Sequence, residues 1–154
     1  MARPSERLRE LGITLPAVSA PAGSYVPARR TGDLVFTAGQ VPFVDGKLVD
    51  FGKVGAEVST EDAQRLARIC ALNALAAVDA LVGIDAVTGV VKVVGFVASA
   101  PGFTDQPEVV NGASDVLGEI FGEAGAHARS AVGVAELPRG VPVEVELVVE
   151  VSGA

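Results

Sequence analysis

Apolar positions along the chain alternate in some stretches and recur at helical spacing in others. Ala63, Ala67, Cys70, Ala74, Ala77 and Leu81 follow one another at steps of four and three, which draws one apolar stripe along a long helix. Ser59 is its expected N-cap, Asp62 three residues on resembles a capping box, and Gly83 stops it. Pro107, just inside a second helix start, precedes Val109, Ala113, Val116 and Ile120 at helical spacing, with Gly125 as the end. A short helix is expected from Pro4 to Leu11, ended by Gly12, followed by a proline-rich loop or extended arm from Leu15 to Pro27. Strands are expected over Asp33–Gln40, over Phe43–Val44 and Lys47–Val49 around an Asp45-Gly46 turn, and over Val90–Ser99. The Val90–Ser99 run is nearly continuous in apolar residues, which predicts burial on both faces. Arg129–Glu136 and Pro142–Val151 close the order β-β-(β)-α-β-α-β-β.

Two helices cannot cover both faces of a sheet with this many strands, so the pattern predicts an α+β fold: a single mixed sheet with two main helices on one face. In the last strand Val143, Val145, Leu147, Val149 and Val151 share the face that belongs under the helices. Glu144, Glu146, Val148 and Glu150 share the other, open face. Arg129, Ala131, Gly133 and Ala135 alternate likewise against Ser130, Val132 and Val134. An open sheet face with valines among its charges is expected to meet another subunit.

Composition narrows the function classes. The chain has 154 residues, enough for one domain, and 49% of them are apolar. Aromatics are 5%, so the core must be built from Val, Ala and Leu. A net charge of −7 argues against polyanion binding. A single cysteine, Cys70, excludes an intramolecular disulfide and a cysteine-cluster metal site, and its place on the helix stripe makes it a buried structural thiol. The glycines at 32, 39, 46, 52 and 55 form no phosphate-binding motif. No leader-like segment or membrane-spanning run is seen, and a cytosolic protein is expected.

The chemistry concentrates in the last quarter. Arg129 enters a β-type run, the chain turns at Leu137-Pro138-Arg139-Gly140, and the next run carries Glu144 and Glu146. Hairpin pairing of these runs would bring a guanidinium and a carboxylate toward one cleft. A guanidinium clamps a carboxylate through two parallel hydrogen bonds, and a carboxylate can move a proton to or from water. The bland alternatives are a salt bridge for Arg129 and a solvated carboxylate for Glu144, and alternation alone does not choose Glu144 over Glu146 or Glu150. His127, the only histidine, would point the same way as Arg129 in a strand. A ligand role for it is a minority reading.

These residues also carry a resemblance. Ala128-Arg129-Ser130, Leu137-Pro138 and Val143-Glu144-Val145-Glu146 resemble the C-terminal signature of the RidA (YjgF/YER057c/UK114, endoribonuclease L-PSP-like) family. Upstream, Gly23-Ser24-Tyr25-Val26, Thr37-Ala38-Gly39-Gln40-Val41-Pro42, Val91-Lys92 to Phe96-Val97, and Val110-Asn111 are similar to further family segments in the expected order. The resemblance covers about residues 21 to 151. It implies a chorismate mutase-like fold over residues 21–154, preceded by an N-terminal helix and arm over 1–20. It also implies a homotrimer with an inner barrel and sites in the inter-subunit clefts. By resemblance Arg129 binds a substrate carboxylate, Glu144 handles protons, Tyr25 closes over the ligand, backbone near Gly39 and Ala131 binds the reacting end, and Asn111 lies at the cleft. Better-known members have cysteine where this chain has Ala131 and often serine where it has Ala38. The implied activity is hydrolytic deamination of 2-aminoacrylate-like imino or enamine acids, with no cofactor and no metal. The alternatives are an endoribonuclease or translation inhibitor, against which one histidine and the acidic balance weigh, and a small-carboxylate binding or regulatory protein.

Overall fold

The computed structural model describes residues 2–153. In chain order the elements are α1 (Pro4–Glu10), β1 (Ala28–Thr31), β2 (Leu34–Thr37), β3 (Phe43–Val44), β4 (Lys47–Leu48), α2 (Thr60–Val82), β5 (Val87–Ala98), α3 (Gln106–Phe121), β6 (Ala128–Val134) and β7 (Val143–Val151). Ser59 caps α2 as its pattern requires, its hydroxyl accepting from the Asp62 amide at 3.1 Å. Gly83 ends the helix at φ 83°, a value glycine takes at little cost. Ala63, Ala67, Cys70, Ala74 and Ala77 are buried along the stripe. Leu81, expected with them, lies in the last turn and is 45% exposed. α3 is capped at its C-terminus by Gly122, earlier than the expected Gly125, and residues 122–125 form a short 3-10 turn.

Five strands form one mixed sheet in the order β1-β2-β7-β5-β6, and β3 and β4 form a separate two-stranded hairpin about Asp45-Gly46. α2 and α3 pack on one face of the sheet and against each other. Val143, Val145, Leu147, Val149 and Val151 are buried beneath them, while the glutamate-bearing face of β7 stays open. β5 begins at Val87, earlier than its apolar run suggested, and only one of its faces is fully covered: Val93 and Val97 are buried, while Val94 and Phe96 on the other face are half-buried.

The expected hairpin between the last two strands does not form. β5 lies between them, with Gly95 opposite Ala131 of β6 and opposite Val145 of β7. The cause is the preceding unit. β5-α3-β6 is a strand–helix–strand crossover, which places β6 parallel beside β5 at the sheet edge. β7 then pairs antiparallel on the other side of β5.

The position of α3 depends on a close approach. A Cβ on Gly112 would be driven into the Gln64 carbonyl of α2, next to the point where Gln64 Nε2 donates to the Glu108 carbonyl at 2.7 Å. We expect Gly112→Ala to destabilise by about 1–3 kcal/mol through overpacking. Gly118→Ala meets open space on the same helix and should stabilise by about 0.5–1 kcal/mol through helix propensity. Denaturant titration of both variants checks the pair. Equal stabilisation by both would contradict the packing assigned to Gly112.

α1 is fastened to this body. Leu8 is buried, the Ser5 amide and hydroxyl donate to Asp85 at 2.8 and 2.7 Å, and Arg7 Nε donates to the Glu119 carbonyl at 2.8 Å. The hydrogen bonds from Ser5 hold the Asp85 carboxyl below the usual range.

Candidate functional site

Glu144 stands near the start of β7 on the open face of the sheet. Gly39 lies so close that a Cβ there would sit 2.7 Å from Glu144 Oε2, so glycine is what lets the carboxyl occupy this position. No hydrogen-bond donor meets that carboxyl among the described residues. Burial pushes its pKa above the usual glutamate value, and the charge of Glu146 on the same face adds to the rise. Contact with Gly39 and a place in the cleft lining distinguish Glu144 from Glu146 and Glu150, which alternation could not separate from it. The carboxyl opens into a cleft of about 630 Å³ whose walls include Tyr25, Gly39, Gln40, Phe43 and Phe51. Tyr25 is half exposed at this cleft, and its hydroxyl accepts from the Ala22 amide at 3.1 Å.

Arg129 lies elsewhere. It pairs with Val93 in β5 and points to the helix side, where α3 receives it. Nη1 donates to Asn111 Oδ1 at 2.8 Å and to Ser114 Oγ at 3.1 Å, and Nη2 donates to the Pro107 carbonyl at 3.3 Å. Three of the five guanidinium hydrogens are used in this way. Nε and one Nη2 hydrogen have no acceptor among the described residues, and no carboxylate forms an ion pair with Arg129 there. Neutral dipoles thus fix the group and leave its charge uncompensated, with two donors to spare.

His127 completes this support. Its Nδ1 is 2.6 Å from the Gly125 carbonyl, which can only accept, so in the neutral ring Nδ1 carries the hydrogen. Nε2 then accepts from the Ser114 hydroxyl at 2.9 Å, and the Ser114 lone pairs are left for Arg129. Both ring nitrogens are engaged within the chain, and His127 orients Ser114. Ser114 has no signal in the sequence, because a serine on the polar face of a helix looks like surface.

The expected site residues therefore fall into two groups on opposite faces of the sheet. Tyr25, Gly39 and Glu144 share the cleft. Arg129, Asn111 and Ala131 gather where β6 meets α3, with Ala131 packed against the core. Three residues of register and the intervening strand β5 separate Arg129 from Glu144, and the two point to opposite faces, so one chain does not bring them to one cleft.

A family model described as "YjgF/chorismate mutase-like, putative endoribonuclease" matches residues 5–151. The chain belongs to this family. It is 44% identical over 152 residues to Protein TCP17 of Trypanosoma cruzi, covering 97% of this chain and 95% of that one. Among solved structures, Atu1372 of Agrobacterium tumefaciens, a protein of unknown function, matches with 43% identity and a TM-score of 0.89, over 97% of this chain and 92% of that chain. E. coli TdcF with bound serine matches with 27% identity and a TM-score of 0.65, over 90% of this chain and 96% of that chain.

In this YjgF-family chain no group of three or more His, Cys, Asp and Glu side chains could hold a metal ion among the described residues. No helix among them is long and apolar enough to cross a membrane. Cys70 is buried against the Val143 carbonyl, and burial, with the charge of Glu144, pushes its thiol up. That favours an unreactive thiol.

Proposed function

We propose that the protein is a cytosolic deaminase of small 2-imino and enamine acids, working as a homotrimer in which Arg129 of one copy faces the Glu144 cleft of the next. The observation that carries this reading is the state of the Arg129 guanidinium: oriented by Asn111, Ser114 and Pro107, unpaired with any carboxylate, and with two donors free for a bidentate ligand. The serine held by TdcF is a small molecule with such a carboxylate.

Glu144 supplies the other half. Its ionised carboxylate takes a proton from water as the water oxygen adds to the imine carbon. The proton passes to the nitrogen, the new hydroxyl then gives its own proton to that nitrogen by way of the carboxylate, the C–N bond breaks, ammonia leaves and the C=O bond remains. Tyr25 and the backbone at Gly39 line the space for the reacting end. An imine is already electrophilic, so the step needs no cofactor. Ala131 and Ala38 suit this scheme if those positions act through their backbones. The acidic balance of the chain disfavours the ribonuclease reading.

The open sheet face supports assembly. Phe36 and Val132 on it are 45% and 44% exposed, and Phe96 and Val148 lie half-buried between them. Sedimentation at micromolar concentration should give a trimer, and a monomer would contradict the shared site. Ammonia release from freshly generated 2-aminoacrylate tests the activity itself. No acceleration over spontaneous hydrolysis, together with retained binding of 2-oxo acids, would make this a carboxylate-binding protein instead.

A further inference from the structure

The cleft is far larger than 2-aminoacrylate requires, and its lining holds charge that the chemistry above leaves unused. Lys47 and Arg139 both border it. The chain has twelve Lys and Arg residues against nineteen Asp and Glu. Arg3, Arg7, Arg30, Lys53, Arg65 and Arg68 each form an ion pair. Among the described residues the other six of the twelve form none, and of these Lys47 and Arg139 are the two that border the cleft. An acidic protein that leaves two cations unpaired at the wall of one cleft has the electrostatics of an anion subsite.

The framework around them is built rather than incidental. Arg139 holds a left-handed backbone at φ 60°, uncommon for a side-chain-bearing residue. The turn that presents it is tied down: the Gly140 amide donates to the Leu137 carbonyl at 3.1 Å, and the Gly140 carbonyl accepts from the Gly52 amide at 2.9 Å. Gly52 follows Phe51, which forms part of the same wall with Phe43 and Leu48. Lys47 comes from the β3–β4 hairpin.

We propose that the cleft carries a second anion subsite, formed by Lys47 and Arg139 beside an apolar wall, which selects 2-imino acids whose side chain is a short methylene run ending in a carboxylate. This rests on the reading of Glu144 and Arg129 given above. The substrate class becomes the 2-imino dicarboxylic acids: one carboxylate goes to Arg129 of the neighbouring copy, the methylenes lie along Phe43, Leu48 and Phe51, and the far carboxylate meets the two cations.

The test is calorimetric titration of the assembled protein with three product-like 2-oxo acids: 2-oxobutanoate, 2-oxohexanoate and 2-oxoadipate. The diacid should bind about tenfold or more tightly than 2-oxohexanoate, which has the same chain length without the second charge. In Lys47→Ala/Arg139→Asn that ratio should fall to about one; asparagine tolerates the left-handed backbone at position 139, so the turn is kept. Two results overturn the subsite: 2-oxohexanoate binding as well as 2-oxoadipate to the wild type, or a diacid preference that survives in the double variant. In both, 2-oxobutanoate still binds and the reading of the main site stands. If none of the three acids binds, the main reading fails and the subsite falls with it.

Discussion

Glu144→Gln is expected to keep 2-oxo acid binding and to lose deamination rate by about 10²–10⁴-fold, the usual worth of a positioned acid or base. The amide preserves the shape against Gly39 but cannot take a proton from water. The wild-type rate should also rise with pH through the titration of Glu144. That limb lies above the ordinary glutamate range, because burial first and Glu146 second raise this carboxyl. Ionised Glu144 is the active form, so anything that lowers its pKa extends activity to lower pH. Glu146→Gln removes the neighbouring negative charge and should move the acid limb downward while costing far less rate at neutral pH. The pH profiles of the three proteins decide this. An unmoved limb in Glu146→Gln, or abolished activity there with activity spared in Glu144→Gln, would show that Glu144 is not the base.

Arg129→Ala should weaken binding of pyruvate or 2-oxobutanoate by about 1.5–3 kcal/mol, the contribution of a hydrogen bond to a charged group. Arg129→Lys should restore only part of it, since the ammonium cannot present the planar fork. The support of the guanidinium is itself testable in the same titration. Ser114→Ala removes one acceptor from Nη1 and the partner of His127 Nε2, so it should weaken binding by less than Arg129→Ala does. Equal affinity of wild type and Arg129→Ala would reject the clamp.

Much of the fold was legible because its elements bury one face each. The stripe on α2, the Ser59 cap, the Asp45-Gly46 turn and the alternation in β7 are local signals, and local physics sets them. β1 was not legible: Ala28-Arg29-Arg30-Thr31 is a four-residue edge strand with one buried apolar residue, which leaves little periodicity to read. The place of β6 was hidden for a different reason. Nearness in sequence suggested a hairpin with β7, whereas the partner of β6 is fixed by the crossover through α3.

The site was half legible on the same terms. Residue types and order point to Arg129 and Glu144, but alternation says nothing of which glutamate is desolvated, and desolvation is a property of the folded cleft. Ser114 and His127 act on Arg129 only because α3 lies over β6. Lys47 and Arg139 are exposed cations, one at the start of β4 and one on the turn before β7, and only the fold brings both to the lining of one cleft.

The central claim is that the site needs two copies of the chain, one giving Arg129 and the next giving Glu144. It is tested most directly by mixing Arg129→Ala protein with Glu144→Gln protein and allowing subunits to exchange. Each variant alone should be nearly inactive. After exchange at equal concentrations, about a quarter of the interfaces join an intact Arg129 to an intact Glu144, so about a quarter of wild-type deaminase activity should return. A mixture that exchanges subunits and stays as inactive as its components would place both residues' action within one chain and contradict the account.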